Sequence, residues 1–103
     1  MIARTWKGTV RREDADDYAQ YLRETGVAGY RSTPGNQGVW MLRRDAGAGT
    51  EYVMLTFWDD LDAVKAFAGE DYTTAVFYPA DDRYLIDRDV TCDHYEVVPV
   101  DGG

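Results

Sequence analysis

The chain has 103 residues, enough for one domain, and 45% of them are hydrophobic, as expected of a protein that buries a core. Its formal net charge of −8 argues against nucleic acid and anionic membrane surfaces as partners, because binding phosphates requires clustered lysine and arginine. No apolar run is long enough to span a membrane and no signal peptide opens the chain, so we expect a cytoplasmic protein.

The first half of the chain is expected to form three strands and one helix. Apolar residues spaced i, i+3, i+4 and i+7 over residues 12–25 indicate an amphipathic helix, and Gly26 lies where its C-terminal cap would be. The proline- and glycine-rich residues 34–38 indicate a turn. The three strands are predicted at residues 1–9, 27–33 and 39–44.

The second half is expected to form two strands and two helical segments. Asp59 and Asp60 are candidate caps for the first of these helices, and Gly69 is expected to end it. Pro79 should end the second helical segment. The elements are a strand at residues 51–58, helices at residues 61–68 and 71–78, a strand at residues 91–98, and a flexible tail at residues 101–103.

The strand at residues 51–58 also predicts an assembly. Its residues 52–58 are almost continuously apolar, whereas a strand with one face in water should alternate. Both faces of the sheet should therefore be covered. One layer of helices can cover only one face, and a second copy of the same sheet is the simplest cover for the other. We therefore expect a homodimer.

The predicted order of elements is β-α-β-β-β-α-β. This order is typical of an α+β protein with a ferredoxin-like antiparallel sheet and two main helices on one face.

Three segments of the chain resemble the antibiotic biosynthesis monooxygenase domain. Residues 55–67 carry an aromatic residue at the end of a strand, acidic residues at the start of a helix and an apolar pair beyond. Residues 78–82 and 93–98 resemble the segment after the second helix and the last strand of that family. The resemblance spans nearly the whole chain and implies a single domain of this type over residues 1–100. The family fold is a dimeric α+β barrel, which agrees with the expected homodimer.

The family includes cofactor-free oxygenases that act on polycyclic aromatic polyketides, and it also includes haem-degrading enzymes. The haem-degrading branch has a tryptophan, a haem-ligating histidine and an early asparagine. In this chain Phe67 occupies the tryptophan position, Phe77 lies at or near the histidine position, and residues 1–10 contain no asparagine. The resemblance therefore argues against haem, and we expect no cofactor.

The single histidine and the single cysteine limit the chemistry that is available. One cysteine, Cys92, cannot form a disulfide within the chain or a thiolate cage, and one histidine, His94, cannot build a site of several imidazoles, so no metal site is expected. His94 is the candidate catalytic base, because imidazole exchanges a proton near neutral pH. Tyr72 is the second catalytic candidate, since a phenol could donate a hydrogen bond to a developing oxyanion or peroxide. The structural alternatives are an inert histidine at the sheet edge or dimer interface and a tyrosine that caps the core.

Five further side chains are assigned to the substrate. Flat aromatic rings such as those of tryptophan could stack on an aromatic substrate. An arginine at the mouth of a pocket could hold an acidic group. The alternatives are aromatic residues in the core or dimer interface and an arginine in surface ion pairs. The assigned residues are Trp6, Trp58, Phe67, Phe77 and Arg83.

These features predict a cofactor-independent monooxygenase. Its substrate would be an electron-rich aromatic, a polyketide-like phenol or anthrone, and dioxygen would be the second substrate. Two alternatives remain open: a non-enzymatic dimer that binds a small molecule or is associated with stress, and a cofactor-free isomerase or cyclase that uses the same pocket.

Overall fold

The computed structural model describes residues 1–47 and 49–100, and its centre is a five-stranded antiparallel sheet. The strands are β1 (Ile2–Arg11), β2 (Asn36–Ala46), β3 (Gly49–Trp58), β4 (Leu85–Arg88) and β5 (Asp93–Glu96). They lie in the order β2-β3-β1-β4, and β5 pairs with β1 along the same edge as β4. The predicted tail at residues 101–103 lies outside the described residues.

The helices lie on one face of this sheet, which confirms the predicted α+β, ferredoxin-like class. They are α1 (Ala15–Leu22), α2 (Ala28–Ser32), α3 (Leu61–Ala68) and the short α4 (Asp81–Tyr84). The Asp60 side chain accepts a hydrogen bond from the Ala63 backbone N–H and so caps α3, as predicted, and Gly69 ends it. No helix among the described residues is long and apolar enough to cross a membrane.

The prediction of a helix cap at Gly26 and a strand at residues 27–33 was wrong. The chain continues from α1 through a π-helical stretch, Arg23–Val27, into α2. Gly26 and Tyr30 follow Leu22 at successive intervals of four residues, and all three are buried in the helical layer. Burial of this longer stripe outweighs the cost of about 1 kcal/mol for a glycine inside a helix.

The helix predicted at residues 71–78 is also absent from this described part of the chain. Instead, the Ala75 N–H donates to the Val90 carbonyl oxygen at 2.9 Å, and Thr74 forms an isolated antiparallel bridge with Thr91. The Asp71 carboxylate accepts a hydrogen bond from the Thr74 hydroxyl at 2.7 Å. Such local side-chain bonds compete with helix formation, and the bonds to residues 90–92 complete the replacement. Residues 69–80 therefore form an irregular segment, which we call the cover segment.

The two faces of the sheet differ in their surroundings. On the inner face, Tyr52, Met54, Thr56 and Trp58 of β3 are buried beneath the helices. The outer face carries a patch made of Trp40, Leu42, Val53, Leu55 and Phe57, as the register of β2 and β3 requires. Trp40 is 62% exposed and Leu42 is 48% exposed. The apolar run in β3 thus alternates between a buried face and an apolar face that this single chain leaves open.

Candidate functional site

A small cavity lies between the inner face of the sheet, α1 and the cover segment. Its volume is about 20 Å³, which is room for about one water molecule. Polar groups converge on it from strands, helices and the cover segment. Its walls include Arg4, Trp6, Tyr18, Tyr30, Tyr78, Asp81 and Cys92.

Arg4 brings a positive charge to this cavity. The residue is only 2% exposed, and its Nη2 donates to the carbonyl oxygens of Tyr72 at 3.3 Å and Thr74 at 3.4 Å. The guanidinium carbon lies 5.6 Å from the centre of the Phe67 ring. Within residues 1–47 and 49–100, the buried Nε has no hydrogen-bond partner and the guanidinium forms no ion pair with a carboxylate.

Asp81 brings a carboxyl group to the same cavity. It is 4% exposed and is the first residue of α4. One carboxylate oxygen accepts from the Tyr18 hydroxyl at 3.4 Å and the other accepts from the Tyr78 backbone N–H at 2.6 Å. Burial raises the pKa of Asp81 above its usual range, although these two hydrogen bonds act against the rise. This carboxyl therefore holds a proton more readily than an exposed aspartate does.

Three tyrosines, Tyr18, Tyr30 and Tyr78, also line the cavity walls. Burial raises the pKa of Tyr18, Tyr30 and Tyr78, and the charge of Asp81 adds to the rise in all three. Arg4 acts in the opposite direction on Tyr30. All three phenols therefore keep their protons near neutral pH and can serve as hydrogen-bond donors.

The two predicted catalytic residues, His94 and Tyr72, are in contact. Their rings meet edge to face with centres 5.1 Å apart, and His94 is the register partner of Arg4. The buried His94 Nε2 has no hydrogen-bond partner among the described residues. Burial lowers the pKa of His94, the charge of Arg4 lowers it further, and Asp93 opposes both effects. The imidazole is therefore neutral near pH 7, but His94 does not line the cavity.

The aromatic residues predicted to bind substrate divide into cavity wall and core. Trp6 lines the cavity, its Nε1–H donates to the Asp89 carbonyl oxygen at 2.7 Å, and its ring meets Phe77 edge-on at 6.1 Å. Phe77 is 36% exposed, and the Arg88 guanidinium lies 4.9 Å from its ring centre. Phe77 thus covers Trp6 from the solvent side.

Three other predicted substrate residues lie away from the cavity. Trp58 is fully buried, its Nε1–H donates to the Thr56 hydroxyl at 2.9 Å, and its ring packs 5.6 Å from that of Phe67. Phe67 does not line the cavity, but it contacts two residues that do: its ring lies 5.6 Å from the Arg4 guanidinium carbon and 4.6 Å from the Tyr30 ring. Arg83 is exposed and lies over the ring of its neighbour Tyr84 at 5.7 Å.

Sequence reasoning missed the two charged residues of the cavity. Arg4 did carry a signal, because it alternates with Ile2 and Trp6 and therefore shares their buried face of β1. A charged residue on such a face calls for a functional explanation. Asp81 carried no such signal, since it is one of several acidic residues in residues 81–89.

Residues 1–77 match the model of a protein family described as antibiotic biosynthesis monooxygenase. The chain belongs to this family. Solved structures support the fold at low sequence identity. An antibiotic biosynthesis monooxygenase matches with a TM-score of 0.68 and 19% identity, over 96% of this chain and 100% of that one. A putative member from Bacillus cereus matches with a TM-score of 0.66 and 17% identity, over 96% and 94% of the chains. A comparison with curated proteins finds no match.

A mutant of MhuD also shares the fold, and its crystal structure carries two manganese protoporphyrin IX molecules per active site. It matches with a TM-score of 0.62 and 18% identity over 100% of both chains. The site described above does not fit such a group. The single histidine lies on β5, against Tyr72 and outside the cavity, so the cavity wall offers no imidazole that could ligate the metal of a porphyrin.

Proposed function

We propose that this family member is a cofactor-independent monooxygenase that oxidises an electron-rich aromatic, a polyketide-like phenol or anthrone, with dioxygen. The observation that carries this proposal is that a proton acceptor and a positive charge line the same buried cavity. Asp81 can accept a proton there, while Arg4 supplies a positive charge that no carboxylate neutralises among the described residues. Proton removal beside a fixed cation is what formation of a substrate anion requires.

The proposed reaction balances without an added reductant. A base removes a proton from the substrate CH2 group, and the resulting carbanion transfers one electron to dioxygen. The two radicals combine in a carbon–oxygen bond, which gives a peroxide anion that takes up a proton. Loss of water then breaks the oxygen–oxygen bond and the second carbon–hydrogen bond, and a ketone remains. The substrate loses four electrons, one oxygen atom enters the product, and the other leaves as water.

Two groups near the cavity can act as the base. His94 is the base that the sequence predicts, and its low pKa keeps it unprotonated at neutral pH. Asp81 has the better position, because its carboxyl group lines the cavity and its pKa is raised. A base must come within hydrogen-bond reach of the proton that it removes. We therefore assign the proton transfer to Asp81 and keep His94 as the alternative for the experiment below.

The protein would add hydrogen-bond donors and exclude water. Tyr30 and Tyr78 line the cavity wall and keep their protons, so their hydroxyls could donate to a peroxide or phenolate oxygen. The aromatic side chains around them keep bulk water away from the reacting anion. Tyr72, predicted to have such a role, contacts His94 and is not among the residues that line the cavity.

Binding an anthrone requires the cover segment to move. A cavity of about 20 Å³ cannot hold a ring system, since pockets for such ligands are about 300 to 1,000 Å³. Val76 and Phe77 are the exposed side chains of the cover segment above the cavity. Few regular backbone bonds hold this segment, so it is the part that can yield to a substrate.

We also propose that the protein is a homodimer formed through the outer face of the sheet. The patch of Trp40, Leu42, Val53, Leu55 and Phe57 is apolar and contiguous across β2 and β3. A second copy of the same patch would bury it, as the twofold symmetry of most dimers allows. This assembly agrees with the dimeric barrel that the family resemblance implies.

One observation favours a second candidate, a non-enzymatic binding protein. The cavity is filled almost completely by side chains of the protein itself, among them Trp6, Tyr18 and Tyr30. A protein that only packs its aromatic residues would have this arrangement. An isomerase or cyclase would use the same cavity but would consume no oxygen.

Oxygen uptake with anthrones and naphthohydroquinones tests these assignments. The parent protein is compared with Asp81→Asn, His94→Gln and the control Asp87→Asn, which changes an exposed carboxylate on β4. We expect uptake above the spontaneous rate in the parent and control, and a loss of about a hundredfold or more in kcat for Asp81→Asn. A loss in His94→Gln alone would return the base to His94. No protein-dependent uptake, with product formed or ligand bound, would leave the isomerase or the binding protein.

A further inference from the structure

We propose that Arg4 is an anion-binding residue, and that the ligands of this protein are aromatic acids that bind through an ionised phenolate or carboxylate oxygen placed against its guanidinium. Its part in catalysis rests on the function proposed above, whereas the binding itself does not. Arg4 is not among the residues that the sequence predicts to bind substrate.

The burial of Arg4 is the first argument. Removing a charge from water is costly, and buried arginines are usually paired with carboxylates that offset this cost. Arg4 is 2% exposed, yet in residues 1–47 and 49–100 its guanidinium donates to two carbonyl oxygens, lies over the Phe67 ring and forms no ion pair. Both carbonyl contacts use Nη2, and the buried Nε has no partner there. An anion from outside would supply the missing acceptor.

The single carboxylate on the cavity wall does not take that place. Asp81 receives hydrogen bonds from the Tyr18 hydroxyl and the Tyr78 N–H and forms no ion pair with Arg4. The Arg4 guanidinium is therefore the charged donor available to an oxyanion in the cavity.

The class of anion follows from the shape of the site. The cavity has room for about one water molecule, so it can receive a single oxygen and little more. The adjoining walls, Trp6 and Phe77, are aromatic and form an edge-to-face pair that leads to the surface. An ionised oxygen attached to an aromatic ring fits both features, because the oxygen fits the small cavity and the ring fits the aromatic walls beside it. A large polyanion such as a nucleotide does not match them.

His94 provides a readout that needs no catalytic activity. It is the only histidine in the chain, so it gives a single imidazole signal in a proton NMR spectrum. It is the register partner of Arg4, and the groups around it are Arg4 on β1, Asp93 on β5 and the Tyr72 ring. The Arg4 charge lowers the pKa of His94. An anion on Arg4 would cancel part of this repulsion and raise that pKa.

The experiment is an NMR pH titration of His94 at constant ionic strength, with formate, benzoate and 2,4-dinitrophenol, which is ionised throughout this titration, as probes. Formate tests the charge alone, and the other two distinguish a carboxylate from a phenolate. The parent is compared with Arg4→Gln and with Lys7→Gln, which removes one positive charge from an exposed position of the same strand. Arg4→Lys retains the charge in case Arg4→Gln does not fold.

We expect a saturable rise in the His94 pKa with benzoate or 2,4-dinitrophenol in the parent and in Lys7→Gln. The affinity should fall by about tenfold or more in Arg4→Gln, since a charge-assisted hydrogen bond is lost. Arg4→Lys should retain part of the affinity for these anions. No saturable rise in the parent, or an equal affinity in Arg4→Gln, would overturn the proposal.

The two proposals can fail separately. Anion binding at Arg4 without oxygen uptake would contradict the oxygenase and leave this inference standing. If the protein takes up oxygen but none of the three anions changes the His94 pKa, this inference is contradicted and the oxygenase proposal stands.

Discussion

Arg4 on β1 and His94 on β5 are direct partners in the strand register, and each side chain keeps a buried nitrogen without a hydrogen-bond partner among the described residues. A permanently charged guanidinium therefore lies beside an imidazole that its charge keeps neutral. Two such atoms on neighbouring strands are unusual, because buried polar groups are almost always paired. The pair connects the predicted base, His94, to the cavity that Arg4 lines.

This pair makes stability depend on pH through His94. The folded protein holds the His94 pKa below its usual value of 6.5, so the unfolded chain binds that proton more readily as pH falls below this value. We expect the free energy of unfolding contributed by His94 to be retained above about pH 6.5 and lost progressively below it. Urea denaturation from about pH 7 to about pH 5 measures this loss, and His94→Gln should show a smaller loss than the parent. An equal loss in both proteins would contradict the account.

The cap of α3 gives a prediction about stability alone. The Asp60 carboxylate accepts from the Ala63 N–H at 2.9 Å, so Asp60→Ala should lower the free energy of unfolding by about 1 kcal/mol. Asp62→Ala is the control, because Asp62 is exposed in the first turn of the same helix and does not cap it. Its loss should be about 0.5 kcal/mol or less. Urea denaturation of both variants would contradict the assignment if Asp62→Ala were the more destabilised.

The sequence predicted the parts of the fold that local chemistry decides. Weak alternation indicated β1, a nearly continuous apolar run indicated β3, and the acidic pair before Leu61 indicated the start of α3. The prediction failed where contacts between distant parts of the chain determine the structure. Gly26 is a helix breaker by composition, but burial against the sheet carries the helix through it. Residues 71–78 have a helical pattern, but their backbone bonds to residues 90–92 instead. The strand β4 was missed because charged residues surround its short apolar core.

The sequence also predicted part of the candidate site. His94, Tyr72 and Trp6 were selected by chemical type, and the structure brings the first two into contact. Trp58 was selected in the same way but lies in the core, because an inward-facing tryptophan on a central strand is covered by helices. The sequence offered no means to place Asp81 opposite Arg4, since about 77 residues and several elements separate them.

The outer face of the sheet predicts the assembly state. Leu55 lies in the middle of the apolar patch on β3, so Leu55→Glu would place a charge inside the proposed interface. We expect the parent to be a dimer and this variant to be a monomer by size-exclusion chromatography with light scattering. Val90→Glu is the control, because Val90 is exposed outside the sheet, and it should remain a dimer. A parent that is monomeric at all concentrations would contradict the proposed interface.

The cover segment predicts a size-dependent effect on activity. Phe77 covers Trp6 and is partly exposed, so Phe77→Ala should open the approach to the cavity with a modest loss of stability, about 1 kcal/mol. We expect kcat/KM to rise for a three-ring anthrone and to change little for a two-ring naphthohydroquinone. Val98→Ala, at an exposed position beyond β5, serves as the control. Equal changes for both substrates would show that Phe77 does not limit access.

Labelling with oxygen-18 gas tests the central claim, oxygenation without a cofactor, most directly. The protein, freed of metals by chelation, is incubated with an anthrone under labelled dioxygen, and the product is analysed by mass spectrometry. The account predicts one labelled oxygen atom in each ketone formed, at a rate that depends on the protein and falls sharply in Asp81→Asn. Product that forms at the spontaneous rate, or that carries oxygen from water before any exchange, would contradict it.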